Sequence, residues 1–305
     1  MSHARFTHRI LSTLIGLAAC LAPWTTAAQD PLRTALPPPG DSNTRQIVQL
    51  RDGSTLVGQI TESWGDSARF ESLAGRIMLR RADVTSVRPV PSSSIRNGRY
   101  WADDPTATRL LFAPTGRTLA KGEGYYSNHW IFLSDAHLGI TDRFTLGGAM
   151  TTFPSGDFIK NNFYFISPKY AIEQSERLNI AAGAFIGAAP FFENASSNTF
   201  GIAYGIATWG TLDASLTLGG GYGFAGGRMA ESPMAMLGVT KRISRGWTFV
   251  SENWLFPNTK FSLVSYGLRS TGEQTAWDVG FVTLLGGESV FLPGVPWLGL
   301  TWKFR

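Results

Sequence analysis

Hydrophobic and polar residues alternate along most of the C-terminal two thirds of the chain. Between Thr211 and Phe224, bulky apolar side chains occupy nearly every second position, with small or polar residues between them. The same period of two appears at 130–140, 164–172 and 178–186. Successive side chains of a β-strand point to opposite faces, so this period predicts strands with one apolar and one polar face. These strands are longer than the roughly five or six residues usual in soluble domains.

Two kinds of connection alternate between these segments. Short turns are predicted at 141–143, 174–177, 210–213, 244–246 and 270–274. Longer connections are predicted at 114–121, 154–162, 188–198, 225–233, 256–260 and 286–296. Counted from about Thr108 to Phe304, these connections delimit twelve strands, with both ends of the sheet on the short-turn side. An even strand number, short turns on one side and longer loops on the other are typical of transmembrane β-barrels.

The bilayer explains why such strands would close into a barrel. Backbone polar groups in hydrocarbon must be paired within the protein, and a sheet satisfies all of them only when it has no edge. The outer face must then be apolar, while the inner face can be polar. We therefore predict an all-β protein with a transmembrane antiparallel β-barrel of about 12 strands at residues 107–305. A soluble secreted β-protein is the alternative, because strands of a β-sandwich also alternate.

The end of the chain carries the clearest family signal. Leu298, Leu300, Trp302 and Phe304 alternate with small or polar residues. This segment resembles the C-terminal signature of bacterial outer-membrane β-barrels, which the barrel-assembly machinery recognises. The resemblance implies that these four residues form an assembly signal, with the assembly machinery and outer-membrane lipid as partners. Arg305 departs from the pattern, because the terminal aromatic is usually the last residue.

Two further segments look like those of an uncharacterised bacterial outer-membrane β-barrel protein family. They are KGEGYY at Lys121–Tyr126 and the turn at Ile140–Asp142. This resemblance implies a fold and the outer membrane of a Gram-negative-type bacterium, but no activity. We expect the last strand to pair with the first strand near Leu110.

The N-terminus has the features of an exported protein. Arg5 and Arg9 precede an apolar run from Ile10 to Ala22 and a stretch of small residues. This order predicts a removable signal peptide at residues 1–28. The only cysteine, Cys20, lies in a sequence that looks like the lipobox of bacterial lipoproteins, so lipidation is left open.

A small β module is predicted between two linkers. Proline-rich and serine-rich composition predicts linkers at 29–44 and 91–106. Short strand patterns separated by turn residues fill 45–90. LRDGSTLVGQI and RFESLAGRIMLRRADVTSV in this block resemble small Sm-like or SH3-like β-barrels. The resemblance implies a small barrel, which we expect to lie in the periplasm and to contact a periplasmic protein partner.

Charge and composition argue against a nucleic-acid partner. The chain has 27 Lys and Arg residues and 22 Asp and Glu residues, and removing Arg5 and Arg9 with the signal peptide leaves a net charge of +3. That charge is too mild to indicate nucleic-acid binding, and an exported protein meets little RNA even though Sm family members bind it.

Charged residues of both signs fall on the polar face of the strands. They could bind or pass small polar solutes, or they could pair with one another and fill a narrow interior. The candidates for the lumen are Asp135, His137, Lys169, Glu173, Asp213, Arg242, Glu252, Arg269, Asp278 and Lys303.

Signals for catalysis are sparse. An outer-membrane lipid-modifying hydrolase needs a nucleophile within reach of a base, yet Ser134 is expected on the face opposite His137 and Asp135. We predict no catalytic residues, no metal site and no cofactor, with this hydrolase as an alternative. The favoured function is a narrow pore for small polar solutes or a structural surface barrel. Glycines at 147–148 and 219–221 lie inside strands, where they indicate close backbone approach.

Overall fold

The computed structural model describes Leu36 and residues 43–154, 162–188, 199–257, 259, 261–286 and 293–304. The predicted signal peptide, Cys20, nearly all of the first linker and Arg305 lie outside these ranges. The chain divides into two compact units, 1–100 and 101–305. Across the described ranges, no helix is both long enough and apolar enough to cross a membrane.

The N-terminal unit contains a five-stranded antiparallel sheet. Its strands are β1 (Thr44–Leu50), β2 (Thr55–Trp64), β3 (Ser67–Ser72), β4 (Gly75–Arg80) and β5 (Val84–Pro91), in the order β4-β3-β2-β1-β5. Val48, Ile60 and Phe70 are fully buried in its core. The second predicted linker holds a short pair, β6 (Ile95–Arg96) and β7 (Arg99–Tyr100). The Sm-like or SH3-like resemblance and the periplasmic placement of this unit stay predictions.

The C-terminal unit is a closed antiparallel barrel. Its strands are β8 (Gly124–His129), β9 (Leu133–Thr141), β10 (Phe144–Thr151), β11 (Tyr164–Gln174), β12 (Leu178–Ala188), β13 (Thr199–Gly210), β14 (Ala214–Ala225), β16 (Met234–Arg242), β17 (Trp247–Leu255), β18 (Ser262–Thr271), β19 (Thr275–Leu285) and β20 (Val295–Phe304). Neighbouring strands pair in sequence, and β20 pairs with β8 to close a ring of twelve. A short strand, β15 (Arg228–Met229), pairs with the end of β14 and is not one of the twelve strands of the ring. The predicted all-β fold and strand number are confirmed.

Side chains on the two faces of the barrel alternate as expected. On β14, Leu216, Leu218 and Tyr222 are exposed on the outside, while Ser215 and Thr217 are buried inside. The four apolar residues of the closing segment are likewise 38–55% exposed. A soluble sandwich would bury this face in its core, whereas the structure presents it to the surroundings. The secreted soluble alternative is therefore wrong.

The first strand differs from the prediction. Residues 108–113 do not belong to the barrel wall, and β20 pairs with β8, where Trp302 lies opposite Tyr126. In place of a long connection at 114–121, a tight turn after His129 joins β8 to β9. Trp130 and Ile131 in this turn both have positive φ. Such a conformation is most often adopted by Gly, Asn or Asp, so no residue at this position indicated a turn.

Candidate functional site: a hairpin inside the barrel

Residues 102–120 lie inside the barrel as a luminal hairpin. The base is at the short-turn side, where Arg242 Nη1 donates to the carbonyl of Ala102 at 2.8 Å and the hydroxyl of Thr118 donates to the carbonyl of Asp142 at 2.9 Å. A β-bridge between Arg109 and Pro114 joins the two arms. Buried residues of the hairpin are Ala102, Pro105, Thr106, Thr108, Arg109, Leu110, Leu111, Ala113, Pro114, Thr115, Gly116 and Leu119. The barrel is thus filled by a segment that precedes its first strand.

A buried ion network ties the hairpin to the wall. Asp278 on β19 accepts a hydrogen bond from Arg269 Nε at 2.6 Å and one from Arg109 Nη2 at 3.2 Å. Arg269 also binds Asp104 at 3.0 Å and the carbonyl of Leu110. Removing one partner from a buried pair costs about 3–5 kcal/mol, because it leaves an uncompensated charge. The position of the hairpin therefore depends on the charged side chains of Arg269 and Asp278 on the wall.

The pKa of Asp104 reflects this network. Burial alone would raise it, but the Arg269 guanidinium and the hydrogen bonds from Thr106 outweigh that effect and hold the pKa below its ordinary value. Asp104 therefore stays ionised as the partner of Arg269.

Glu252 and Lys169 satisfy the backbone of the hairpin. Glu252 Oε2 accepts the N–H groups of Phe112 and Ala113 at 2.8 and 2.9 Å. Lys169 Nζ donates to the carbonyls of Thr108 and Thr115, one on each arm, at 3.0 and 3.1 Å. Buried backbone groups that lack a sheet partner need such bonds. These two wall charges hold the folded-back shape of the hairpin.

Glycines on the inner wall make room for the hairpin. A Cβ on Gly238 would lie 2.1 Å from Leu110 Cδ1, and one on Gly139 would lie 2.1 Å from the carbonyl oxygen of Ala120. The first neighbour is a flexible side chain, whereas the second is backbone. Close packing of the hairpin against the wall thus tolerates a side chain less well at Gly139 than at Gly238.

Replacing Gly139 with valine should loosen the hairpin. The new side chain would collide with the backbone at Ala120, and overpacking of this kind costs roughly 1–3 kcal/mol. We expect faster trypsin cleavage after Arg109 and Arg117 in the detergent-solubilised protein, followed by mass spectrometry. Gly205→Val is the matched control, since a Cβ there would have no neighbour within 4 Å. Equal cleavage rates in the two variants would contradict this role of Gly139.

Two histidines flank Asp135 on the inner wall. His129 Nε2 lies 2.8 Å from Asp135 Oδ2, and His137 Nε2 lies 3.3 Å from Oδ1. The ring of Tyr125 stacks on His137 at 4.8 Å. The cluster borders a cavity of about 30 Å³, which has room for about two water molecules.

The residues of the hydrolase alternative do not assemble. Ser134 bonds Tyr126 and Asn128 on the other face of the sheet. Ser167 lies on the same side as His137, and both border the cavity of about 30 Å³. Within the described residues, no group of three or more His, Cys, Asp and Glu could hold a metal ion.

The predicted lumen residues occupy three settings. Those buried against the hairpin or the cavity are Asp135, Lys169, Glu252, Arg269 and Asp278, with His137 half-buried beside them. Those paired near the short-turn rim are Arg242 with Asp213 at 3.5 Å and Lys303 with Glu123 at 3.1 Å. Glu173 is exposed near the end of β11. Solute binding by these residues stays a prediction.

Sequence reasoning missed the partners that come from the hairpin and from β8. Arg109 and Asp104 lie in segments interpreted as a strand and a linker. Tyr125 and His129 follow the same period of two as Ser127 on β8. This alternation was present in the sequence, but it was not used because the first strand had been placed at 108–113.

Comparisons with known proteins find structural likeness only. No protein-family model and no curated protein matches the chain. Among solved structures, the KdgM porin is 12% identical with a TM-score of 0.45, covering 60% of this chain and 99% of that one. The NanC porin is 11% identical with a TM-score of 0.38, covering 59% and 97%. OccK5 (OpdH) of Pseudomonas aeruginosa is 9% identical with a TM-score of 0.32, covering 86% and 95%.

Proposed function

We propose that this chain is an outer-membrane β-barrel that forms a narrow pore for small polar solutes, gated by its own luminal hairpin. The closed ring of strands and the apolar outer face support a position in the outer membrane of a Gram-negative-type bacterium. The hairpin lies within the lumen in the structure, which supports a gating role.

The observation that carries the proposal is that a separate segment, and not the wall, fills the lumen. Barrels of about eight strands are filled by their own side chains, whereas barrels of about sixteen leave an aqueous channel. Glycines and short polar side chains line part of the wall where the hairpin packs, and Ile206, Met236 and Trp297 form an apolar cluster with its tip. Withdrawal of the hairpin would therefore leave a passage with polar and apolar surfaces. A barrel with only a structural role would need no such removable filling.

The charges of the wall indicate weak ion preference. Two buried cations, Lys169 and Arg269, and three buried anions, Asp135, Glu252 and Asp278, lie around the lumen. Once the hairpin withdraws, charges of both signs would face the same passage, so neither sign of solute is strongly favoured.

Single-channel recording in planar bilayers tests the gate. Replacing residues 107–116 by a Gly-Ser linker of equal length should convert a mostly closed protein into one with persistent conductance. A Gly-Ser replacement of residues 30–39 is the control and should stay closed. Folding of each variant is checked by heat-modifiable gel mobility. A folded 107–116 variant that remains silent would favour the structural surface barrel.

The terminal parts of the chain have separate proposed roles. Leu298, Leu300, Trp302 and Phe304 are proposed as the signal for the barrel-assembly machinery, supported by their common outward face on β20. Residues 45–90 are proposed to bind a periplasmic protein partner, supported by their compact sheet.

A further inference from the structure

Unpaired polar atoms are concentrated in one place inside the barrel. Four buried side-chain atoms that lack a hydrogen-bond partner among the described residues belong to residues that line the cavity of about 30 Å³. Buried polar atoms are normally paired, so such a cluster indicates a bound polar species. The four atoms are Thr108 Oγ1, Arg109 Nε, His129 Nδ1 and Ser167 Oγ.

The charge around the cavity favours an anion. Arg109 is paired with Asp278, so the charges left at the cavity are the ammonium of Lys169, which has no carboxylate partner among the described contacts, and the carboxylate of Asp135. Lys169 bonds only to two carbonyls among the described contacts, which leaves one of its three N–H donors. Asp135 lies between the imidazoles of His129 and His137, so part of its charge is already offset.

The donors also suit a small anion. Arg109 Nε carries an N–H and the hydroxyls of Thr108 and Ser167 can each donate, which gives four possible donors with Lys169. Hydrogen bonds from charged donors to an anion are the stronger kind. A cavity of about 30 Å³ admits a monatomic ion but excludes an organic acid or a sugar.

We propose that this cavity is a binding site for a chloride-sized inorganic anion, held between the luminal hairpin and strands β9 and β11. Thr108 and Arg109 come from the hairpin, whereas Ser167 and Lys169 come from β11. The anion would therefore bridge the hairpin and the wall. This site goes beyond the proposed gating and does not require that the barrel conduct.

The stability of the full-length protein in detergent tests the site. Thermal unfolding is followed by tryptophan fluorescence in sodium chloride and in sodium gluconate at equal ionic strength. Gluconate is too large for the cavity, so only chloride should raise the Tm, saturably and by roughly 5–10 °C at about one hundred times Kd. In crystals grown with sodium bromide, an anomalous peak should lie inside the cavity.

Two variants and one control separate the anion from bound water. Ser167→Ala removes a hydroxyl that makes no described hydrogen bond, and Lys169→Met removes the ammonium. Both should abolish or strongly reduce the chloride-dependent Tm shift. Thr271→Val removes another unpaired buried hydroxyl outside the cavity and should keep the full shift. Equal Tm in the two salts and no bromide peak would show that the cavity holds water only.

The outcome is independent of the pore. A silent 107–116 variant with a preserved chloride shift would overturn the gated pore and leave the anion site standing. A conducting 107–116 variant would support the gated pore. If the Tm of the wild-type protein were at the same time equal in chloride and gluconate, the anion site would be overturned.

Discussion

Replacing Asp278 with alanine should open the barrel. The carboxylate bridges Arg109 of the hairpin and Arg269 of the wall, and both guanidinium groups are buried. Without it, Arg269 keeps Asp104 but Arg109 becomes a buried cation with no carboxylate partner among the described contacts, at a cost of about 3–5 kcal/mol. That cost falls on the state with the hairpin inside, because withdrawal lets water reach both groups. We expect frequent or sustained openings in planar bilayers where the wild-type protein is mostly closed.

Two further variants make this expectation specific. Asp278→Asn keeps the shape and some hydrogen bonding but removes the charge, so its opening should be intermediate. Glu62→Ala is the control, since its ion pair with Arg69 lies in the N-terminal unit with both side chains exposed, where such pairs contribute about 0–1 kcal/mol. It should gate like the wild-type protein. If Asp278→Ala folds but opens no more often than the wild-type protein, the ion network does not hold the hairpin inside the barrel.

Replacing Leu218 with arginine should destabilise the folded barrel. Leu218 faces outward from the central part of β14. An arginine on the lipid face costs about 2–4 kcal/mol near the midplane of the bilayer but only about 0–1 kcal/mol near the interface. The equilibrium between folded and unfolded barrel should therefore shift by roughly 30-fold to 1,000-fold. Heat-modifiable gel mobility after refolding into liposomes measures the folded fraction.

The same substitution at the rim provides the control. Leu212 is also exposed but lies in the short turn before β14. Leu212→Arg should fold nearly as well as the wild-type protein, because the side chain reaches the headgroup region. Equal folded fractions for the two variants would mean that the outer face does not contact hydrocarbon.

The wall of the barrel could be predicted because its information is local. Alternation fixes which face each side chain occupies, so Lys169, Glu252 and Asp278 were placed inside from their neighbours alone. The short turns at 141–143 and 270–274 follow from equally local turn chemistry. Twelve strands followed from these two signals even though the position of the first strand was wrong.

The filling of the barrel could not be predicted because its information is distributed over distant residues. Leu110 and Leu111 look like strand residues, and only their fit against glycines such as Gly238 identifies them as interior. Gly238 is far from them in sequence, and no local period links the two. The turn at Trp130–Ile131 was also not predicted, because neither residue type is typical of a turn with positive φ. The first hairpin of the barrel wall was therefore missed.

The position of the hairpin in the chain constrains how the barrel can form. Residues 102–120 are synthesised before any strand of the wall, and β20, which closes the ring against β8, is synthesised last. Pairing of β20 with β8 is therefore the step after which the enclosed segment can leave or enter only along the axis. A hairpin that folds back early would act as a template around which the strands wrap, whereas one that arrives late must be threaded through a finished cylinder.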